Sequence, residues 1–112
     1  MPLTFGQLRQ ANETRQAEWP GGEHVDLAFR GLELWGESGE LGNKLKKLVR
    51  LQRGIKGTTE GHNSLMQDIR DEMGDVLISL DLIAMELGID LAEATAAKFN
   101  ATSAKHDLTT RL

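Results

Sequence analysis

The apolar residues of this chain recur at intervals of three and four, which is the spacing of one face of an α-helix. No segment sustains the alternation of apolar and polar residues that is typical of a half-buried strand. The pattern therefore predicts an all-α fold. We expect four helices, at about residues 4–18, 24–53, 64–87 and 91–105.

Capping residues mark the ends of these helices. Thr4 is followed three residues later by Gln7, which is the spacing of a capping box. Asp90 is a predicted N-cap for the fourth helix, because its carboxylate can accept a hydrogen bond from the first turn. Gly54 and Gly88 are the predicted stops of the second and third helices.

Residues 76–87 are apolar on more than one face of the third predicted helix. Such a helix must be covered nearly all round, and a chain of 112 residues has few other elements with which to cover it. We therefore expect self-association as a dimer or a tetramer. The alternative is a monomeric bundle in which this helix is central.

Length and composition narrow the class of protein. A chain of 112 residues accommodates one core, so we expect a single domain over residues 1–112 with a four-helix, bundle-like protomer. There are no cysteines, which excludes disulfides and thiolate metal sites. A net charge of −4 argues against stable nucleic-acid binding, and no run reaches membrane-spanning length. We expect a cytoplasmic protein without membrane contact.

Two pairs of acidic residues are the strongest chemical signal. Glu37 and Glu40, and then Glu72 and Asp75, are each three residues apart within predicted helices, so each pair projects from one helix face. If the two helices pack together, four carboxylates converge, and their mutual repulsion is relieved by a divalent cation that prefers oxygen ligands. Mg²⁺ is the expected ion and Mn²⁺ the alternative. Such a site could also hold the phosphates of a substrate.

Three strings extend this signal beyond the acids themselves: GESGEL at 36–41, EMGDVL at 72–77 and KFNATSAK at 98–105. With these strings, residues 24–106 resemble the MazG-like nucleotide pyrophosphohydrolases of the all-α NTP pyrophosphatase superfamily. The resemblance implies a four-helix protomer that assembles as a dimer or a dimer of dimers. It also implies Mg²⁺-dependent hydrolysis of a nucleoside triphosphate, NTP or dNTP, to a monophosphate and pyrophosphate. The family's acidic motifs fall on Glu37, Glu40, Glu72 and Asp75, as metal ligands and catalytic residues.

The resemblance also implies residues that bind the substrate. Lys98, Asn100 and Lys105 match a segment that contacts phosphate in related small proteins. For Lys105, interaction with the dipole at a helix C-terminus is an equally good interpretation. Outside the resembling segment, Trp19 is a candidate for stacking on the base because of its large aromatic ring, although a buried anchor before the following turn is the favoured interpretation.

Two features beside the acidic motifs have open interpretations. Lys44 and Lys47 lie one and two turns beyond Glu40, where pairing with acids is favoured over contact with substrate. The glycine-containing segment 54–63 between the motifs predicts a flexible connection that can act as a lid.

Two alternatives to a nucleoside triphosphate pyrophosphohydrolase stay open. One is a phosphoribosyl-ATP pyrophosphohydrolase, which uses similar acidic motifs. The other is a noncatalytic helical module for oligomerisation or ligand sensing. Acids at all four motif positions favour an enzyme, because a noncatalytic protein has no need for clustered like charges.

Overall fold

The computed structural model describes residues 2–112, and every regular element in that part of the chain is helical. The predicted all-α fold class is therefore confirmed, while the bundle-like protomer and self-association stay predictions. A short 3₁₀ turn, Gly22–His24, precedes the second α-helix. The α-helices are α1 (Phe5–Glu18), α2 (Leu27–Arg53), α3 (His62–Leu87) and α4 (Leu91–Lys105).

The predicted caps are present at the ends of the first and last helices. The Thr4 hydroxyl accepts a hydrogen bond from the Gln7 amide at 3.1 Å, and the Thr4 amide donates to the Gln7 side chain at 2.8 Å. These two bonds confirm the capping box. Asp90 caps α4 by accepting a hydrogen bond from the Glu93 amide at 3.0 Å.

Helix α2 begins at Leu27 rather than near residue 24, because Asp26 is its N-cap. The Asp26 carboxylate accepts a hydrogen bond from the Phe29 amide at 2.8 Å. The helix ends as predicted at Gly54, which adopts the left-handed conformation with φ of 67°. Helix α3 begins two residues earlier than predicted, at His62.

The chain divides into two compact units, which we describe separately. The hairpin unit, Glu23–Leu80, contains α2 and most of α3. The terminal unit consists of residues 2–22 and Asp81–Leu112, and contains α1, the last turns of α3, and α4. The single domain expected over residues 1–112 stays a prediction.

Within the hairpin unit, the connection between α2 and α3 is attached to α2. The Ile55 amide donates to the Arg50 carbonyl at 2.9 Å, and the Thr58 hydroxyl donates to the Lys47 carbonyl at 3.2 Å. Glu60 forms an ion pair with the ammonium group of Lys47 at 3.1 Å. The sequence predicted a flexible connection here, whereas these contacts fix it at three points along its length.

A buried carboxylate organises the terminal unit. Asp81 is 1% exposed and receives hydrogen bonds from Arg9 Nε at 3.1 Å and from Asn12 Nδ2 at 2.9 Å. Arg9 also donates to the Ile89 carbonyl at 2.6 Å. This network joins α1 to the end of α3 and to the turn before α4.

The apolar segment of α3 is only partly covered by the chain itself. Leu82 and Ala84 are buried, but Leu80 is 38% exposed and Leu87 is 54% exposed. Helix α3 therefore leaves some apolar side chains exposed to solvent. Incomplete cover of this helix was the reason for predicting self-association.

Candidate metal site

Three of the four predicted acids come together in the hairpin unit. Glu37 and Glu40 project from α2 and Glu72 from α3, and a carboxylate oxygen of each lies within 4.8 Å of the others. The two helices run antiparallel, since Lys44 pairs with Asp68 whereas the earlier Glu40 lies beside the later Glu72. This antiparallel register sets the two acidic motifs opposite each other. We call Glu37, Glu40 and Glu72 the acid cluster.

Asp75, the fourth predicted ligand, is exposed and is not one of the three converging carboxylates. It lies one turn after Glu72 on α3, and its negative charge contributes to the raised pKa of Glu37. Asp75 therefore acts electrostatically on the acid cluster from its edge. Its role as a direct ligand stays a prediction.

Two oxygen atoms of the acid cluster have no hydrogen-bond partner. Glu37 Oε2 and Glu72 Oε2 are both buried and receive no donor. A buried carboxylate oxygen without a partner is costly, because it has lost its hydration and gained nothing in return. A hard divalent cation would satisfy both oxygens at once, so the donor set fits the predicted ion.

Two members of the acid cluster, Glu37 and Glu72, have raised pKa values. Burial raises the pKa of Glu37 from 4.5 to about 7, with further contributions from the negative charges of Asp75, Glu40 and Glu72. The pKa of Glu72 is raised by burial, by a hydrogen bond with Glu40 and by the charges of Glu40 and Asp75, while Lys44 opposes this shift. A cation that replaced the proton would relieve the same repulsion.

The two lysines beside the acid cluster, Lys44 and Lys47, form ion pairs. This confirms the prediction that they pair with acids. The ammonium group of Lys44 lies 3.1 Å from Asp68, and that of Lys47 lies 3.1 Å from Glu60. The hydrogen bond to Asp68 raises the pKa of Lys44. The sequence had no local signal for Glu60, which follows Lys47 by thirteen residues across the connection.

The four predicted substrate-binding residues belong to the terminal unit. Lys98 and Lys105 are exposed on α4. The Asn100 side chain forms two hydrogen bonds with the backbone of Leu112. Its oxygen accepts from the Leu112 amide at 2.8 Å, and its nitrogen donates to the Leu112 carbonyl at 3.1 Å. This contact was not predicted, because no sequence signal links an asparagine to a backbone twelve residues away. The four phosphate-binding and base-binding roles stay predictions.

Trp19 corrects one interpretation of the sequence. It is the C-cap of α1, and its side chain is 57% exposed rather than a buried anchor. The anchor interpretation is wrong because the turn after Trp19 closes through backbone bonds, with the Gly22 amide donating to the Trp19 carbonyl at 3.1 Å. The indole ring is not needed to hold this turn.

The raised pKa of Glu37 predicts how stability without metal depends on pH. The folded protein binds a proton on Glu37 more tightly than the unfolded chain does. The stabilising effect of this proton is complete below about pH 4.5 and is lost as the pH rises through about 7. We expect the melting temperature in EDTA to fall over this range more steeply for the wild type than for Glu37→Gln. Thermal melts of both proteins from pH 4 to 8.5 measure the difference, and parallel curves would contradict the assignment.

The fold and this site define an all-α protein with a carboxylate cluster suited to a divalent cation. No family model matches the sequence. No solved structure matches it. The chain is 30% identical over 95 residues to the Gene 37 protein of Mycobacterium phage L5, a match that covers 81% of this chain and 79% of the phage protein. The chain belongs to the family of this phage protein, whose name states no activity.

A separate finding concerns membranes. Within residues 2–112, none of the helices combines the length and the apolar character needed to cross a bilayer.

Proposed function

We propose that this protein is a Mg²⁺-dependent nucleoside triphosphate pyrophosphohydrolase, which hydrolyses an NTP or dNTP to a nucleoside monophosphate and pyrophosphate. The acid cluster and Asp75 hold the cation in this proposal. The observation that carries it is the pair of buried, unpartnered oxygens, Glu37 Oε2 and Glu72 Oε2, within a group of converging carboxylates. A purely structural cluster of acids would be expected to pair these oxygens with donors.

The choice of ion follows from the ligands. An all-carboxylate donor set suits hard cations, and Mg²⁺ commonly bridges a few protein carboxylates to substrate phosphates. When bound, Mg²⁺ neutralises charge on the phosphate chain and lowers the pKa of a coordinated water. Mn²⁺ is the second choice because it accepts the same oxygen ligands.

The proposed reaction needs a group that takes a proton from water. The water oxygen forms a bond to phosphorus, the bond from that phosphorus to the leaving pyrophosphate breaks, and a proton of the water is transferred to a base. A carboxylate of the acid cluster such as Glu37 could take this proton, because it would lie beside a water held by the cation. The resemblance of the GESGEL and EMGDVL strings to the MazG-like enzymes supports the same reaction.

A substrate screen tests the proposed activity. The purified protein is incubated with the common NTPs and dNTPs in Mg²⁺ and, separately, in EDTA, and pyrophosphate and free phosphate are measured in parallel. We expect pyrophosphate and monophosphate in equal amounts, in Mg²⁺ only. If no nucleotide is cleaved while Mg²⁺ still raises the melting temperature, the noncatalytic sensing module becomes the better interpretation.

We also propose that the protein self-associates through the hairpin unit. On α2, Leu32 is 69% exposed and Trp35 is 78% exposed, and the added Cβ of Gly36 or Gly39 would meet nothing within 4 Å. Each interior helix glycine costs about 1 kcal/mol relative to alanine, and close packing by another helix is a common compensation. A dimer or tetramer would cover these side chains, since monomeric proteins rarely expose large apolar patches.

Leu77→Glu tests this assembly. Leu77 is 40% exposed on α3, so a charge there should dissociate the oligomer and leave the helices folded. Leu82→Glu should instead unfold the protein, because Leu82 is only 6% exposed within its own chain. Light scattering after size exclusion gives the mass, and the exposed Ser64→Glu is the control for added charge. A wild-type monomer at micromolar concentration would refute the proposal.

A further inference from the structure

One ion pair of the hairpin unit lies directly beside the acid cluster. Lys44 follows Glu40 by one turn of α2, and its partner Asp68 precedes Glu72 by one turn of α3. Residues four apart on a helix are neighbours on its surface. The ion pair between Lys44 and Asp68 therefore lies one turn away from the converging carboxylates of Glu40 and Glu72. We call Lys44 and Asp68 the flanking pair.

The ammonium group of Lys44 pairs with Asp68 and not with the acid cluster. Its nitrogen lies 3.1 Å from Asp68 Oδ2, and within residues 2–112 it forms no ion pair with any other carboxylate. Glu72 Oε2, one turn away on α3, is buried and has no donor. Lys44 therefore pairs with the half-buried Asp68 while a buried oxygen on the next turn stays unsatisfied, which is a costly arrangement.

The positive charge of Lys44 still acts on the acid cluster. It opposes the rise in the pKa of Glu72. The hydrogen bond to Asp68 is the largest cause of the raised pKa of Lys44, and the negative charge of Glu72 contributes to it. Because a lysine side chain is a flexible stem with rotatable bonds, Lys44 would be free to turn toward Glu72 if Asp68 did not hold it.

We propose that Asp68 is a positioning residue, which keeps the ammonium group of Lys44 out of the acid cluster so that the cluster stays available to a divalent cation. The presence of that cation rests on the proposed function. An ammonium group inside the cluster would donate to the unsatisfied oxygen of Glu72 and repel a second positive charge. Asp68 gives Lys44 a carboxylate partner outside the cluster instead.

Two simpler roles of the flanking pair predict different results. If the pair only holds α2 against α3, breaking it from either side should weaken cation binding, in Asp68→Asn and in Lys44→Met alike. If the two residues act only as separate charges, Asp68→Asn weakens binding, Lys44→Met strengthens it, and the two effects add in the double variant. In the positioning role, the effect of Asp68→Asn depends on the presence of Lys44.

Binding of Mn²⁺ alone, without nucleotide, measures this dependence. Electron paramagnetic resonance reports free Mn²⁺, so titrations give a dissociation constant for the wild type, both single variants and the double variant. We expect Asp68→Asn to weaken Mn²⁺ binding about tenfold in the wild-type background, but no more than about twofold in the Lys44→Met background. Lys44→Met alone should strengthen binding about threefold, because it removes a positive charge beside the site.

Matched controls separate the flanking pair from other charges on the same helices. Asp71→Asn removes an acid from an exposed position of α3, and Lys46→Met removes a cation from an exposed position of α2. Each should change the affinity for Mn²⁺ by no more than about twofold, because exposed charges are screened. Asp68→Glu keeps a carboxylate as the partner of Lys44, so its affinity should stay within about twofold of the wild type.

The outcomes distinguish this inference from the proposed function. Equal effects of Asp68→Asn in the two backgrounds, or weaker binding in both single variants, would overturn the positioning role and leave the cation site in place. A wild type that bound no Mn²⁺ would refute the cation site and the inference together. Conversely, the expected dependence on Lys44 in a protein that releases no pyrophosphate would support the positioning role and refute the pyrophosphohydrolase.

Discussion

Glu72→Gln should lower the turnover number of Mg²⁺-dependent pyrophosphate release by about 100- to 1,000-fold at saturating substrate. Glu72 supplies one of the two buried carboxylate oxygens that have no donor, and its carboxylate lies with those of Glu37 and Glu40. The amide keeps the size of the side chain but removes its charge. The cation would then be held less tightly and oriented less well for the transition state.

The control for this experiment lies next to Glu72 on α3. Asp71 is exposed, and its carboxylate accepts a hydrogen bond from Gln67 at 3.0 Å. Asp71→Asn makes the same chemical change one residue away and should alter turnover by no more than about twofold. Both variants are measured over a range of Mg²⁺ concentrations, because weakened metal binding can imitate weak substrate binding. Equal turnover in the two variants would remove Glu72 from the mechanism.

The variant Asp75→Asn tests whether Asp75 is a direct metal ligand or acts only through its charge. Asp75 is exposed, and its charge acts on Glu37. If Asp75 is a direct ligand, its variant should lose turnover as Glu72→Gln does. If it acts only through charge, the variant should retain turnover at high Mg²⁺, and the pKa of Glu37 should fall because one neighbouring negative charge is gone.

Capping residues in the sequence predicted the starts of α1 and α4 well, because the capping hydrogen bond forms between residues of a single helical turn. Thr4 with Gln7, and Asp90 before α4, were placed correctly for this reason. The start of α2 was predicted three residues too early, since Glu23 and His24 fall in a 3₁₀ turn before the Asp26 cap. Helical periodicity does not distinguish such a turn from the first turn of the helix.

The acid cluster could be predicted from spacing because it depends on two helices that are adjacent in the chain. The residues three apart within each motif share a face, and an antiparallel connection then brings Glu37, Glu40 and Glu72 together. Asp75 was counted as an equal fourth ligand, and only the three-dimensional register separates it from the other three. Spacing along a helix specifies a face, but not the depth at which each carboxylate lies.

Contacts between distant or irregular segments could not be predicted. The bond from Asn100 to Leu112 joins a helix to an irregular segment that has no periodic pattern. The exposure of Trp19 depends on how the following turn closes, which its large apolar side chain does not reveal. The KFNATSAK string suggested a phosphate-binding role for Asn100, but such a string does not show that both polar groups of the side chain are bonded to Leu112.

Asp81→Ala should lower the free energy of unfolding by about 2–4 kcal/mol and the melting temperature by roughly 10–20 °C. The Asp81 carboxylate is 1% exposed and accepts hydrogen bonds from Arg9 and from Asn12, which is also 1% exposed. Its removal would take one hydrogen-bond acceptor from the cation of Arg9 and one from the amide of Asn12. The side chain of Arg9 is 21% exposed, so partial hydration limits the loss to less than that of a fully buried pair.

The double variant Arg9→Met/Asp81→Leu separates the cost of a broken pair from the value of the pair itself. It removes both charges and fills the space with apolar atoms, so it should be more stable than Asp81→Ala. Thermal and urea unfolding of the wild type, Arg9→Met, Asp81→Leu and the double variant form a complete cycle. The exposed Asp71→Ala is the control for loss of an acid and should change stability by less than about 0.5 kcal/mol. If Asp81→Ala were no less stable than Asp71→Ala, the buried network would not be what joins α1 to the end of α3.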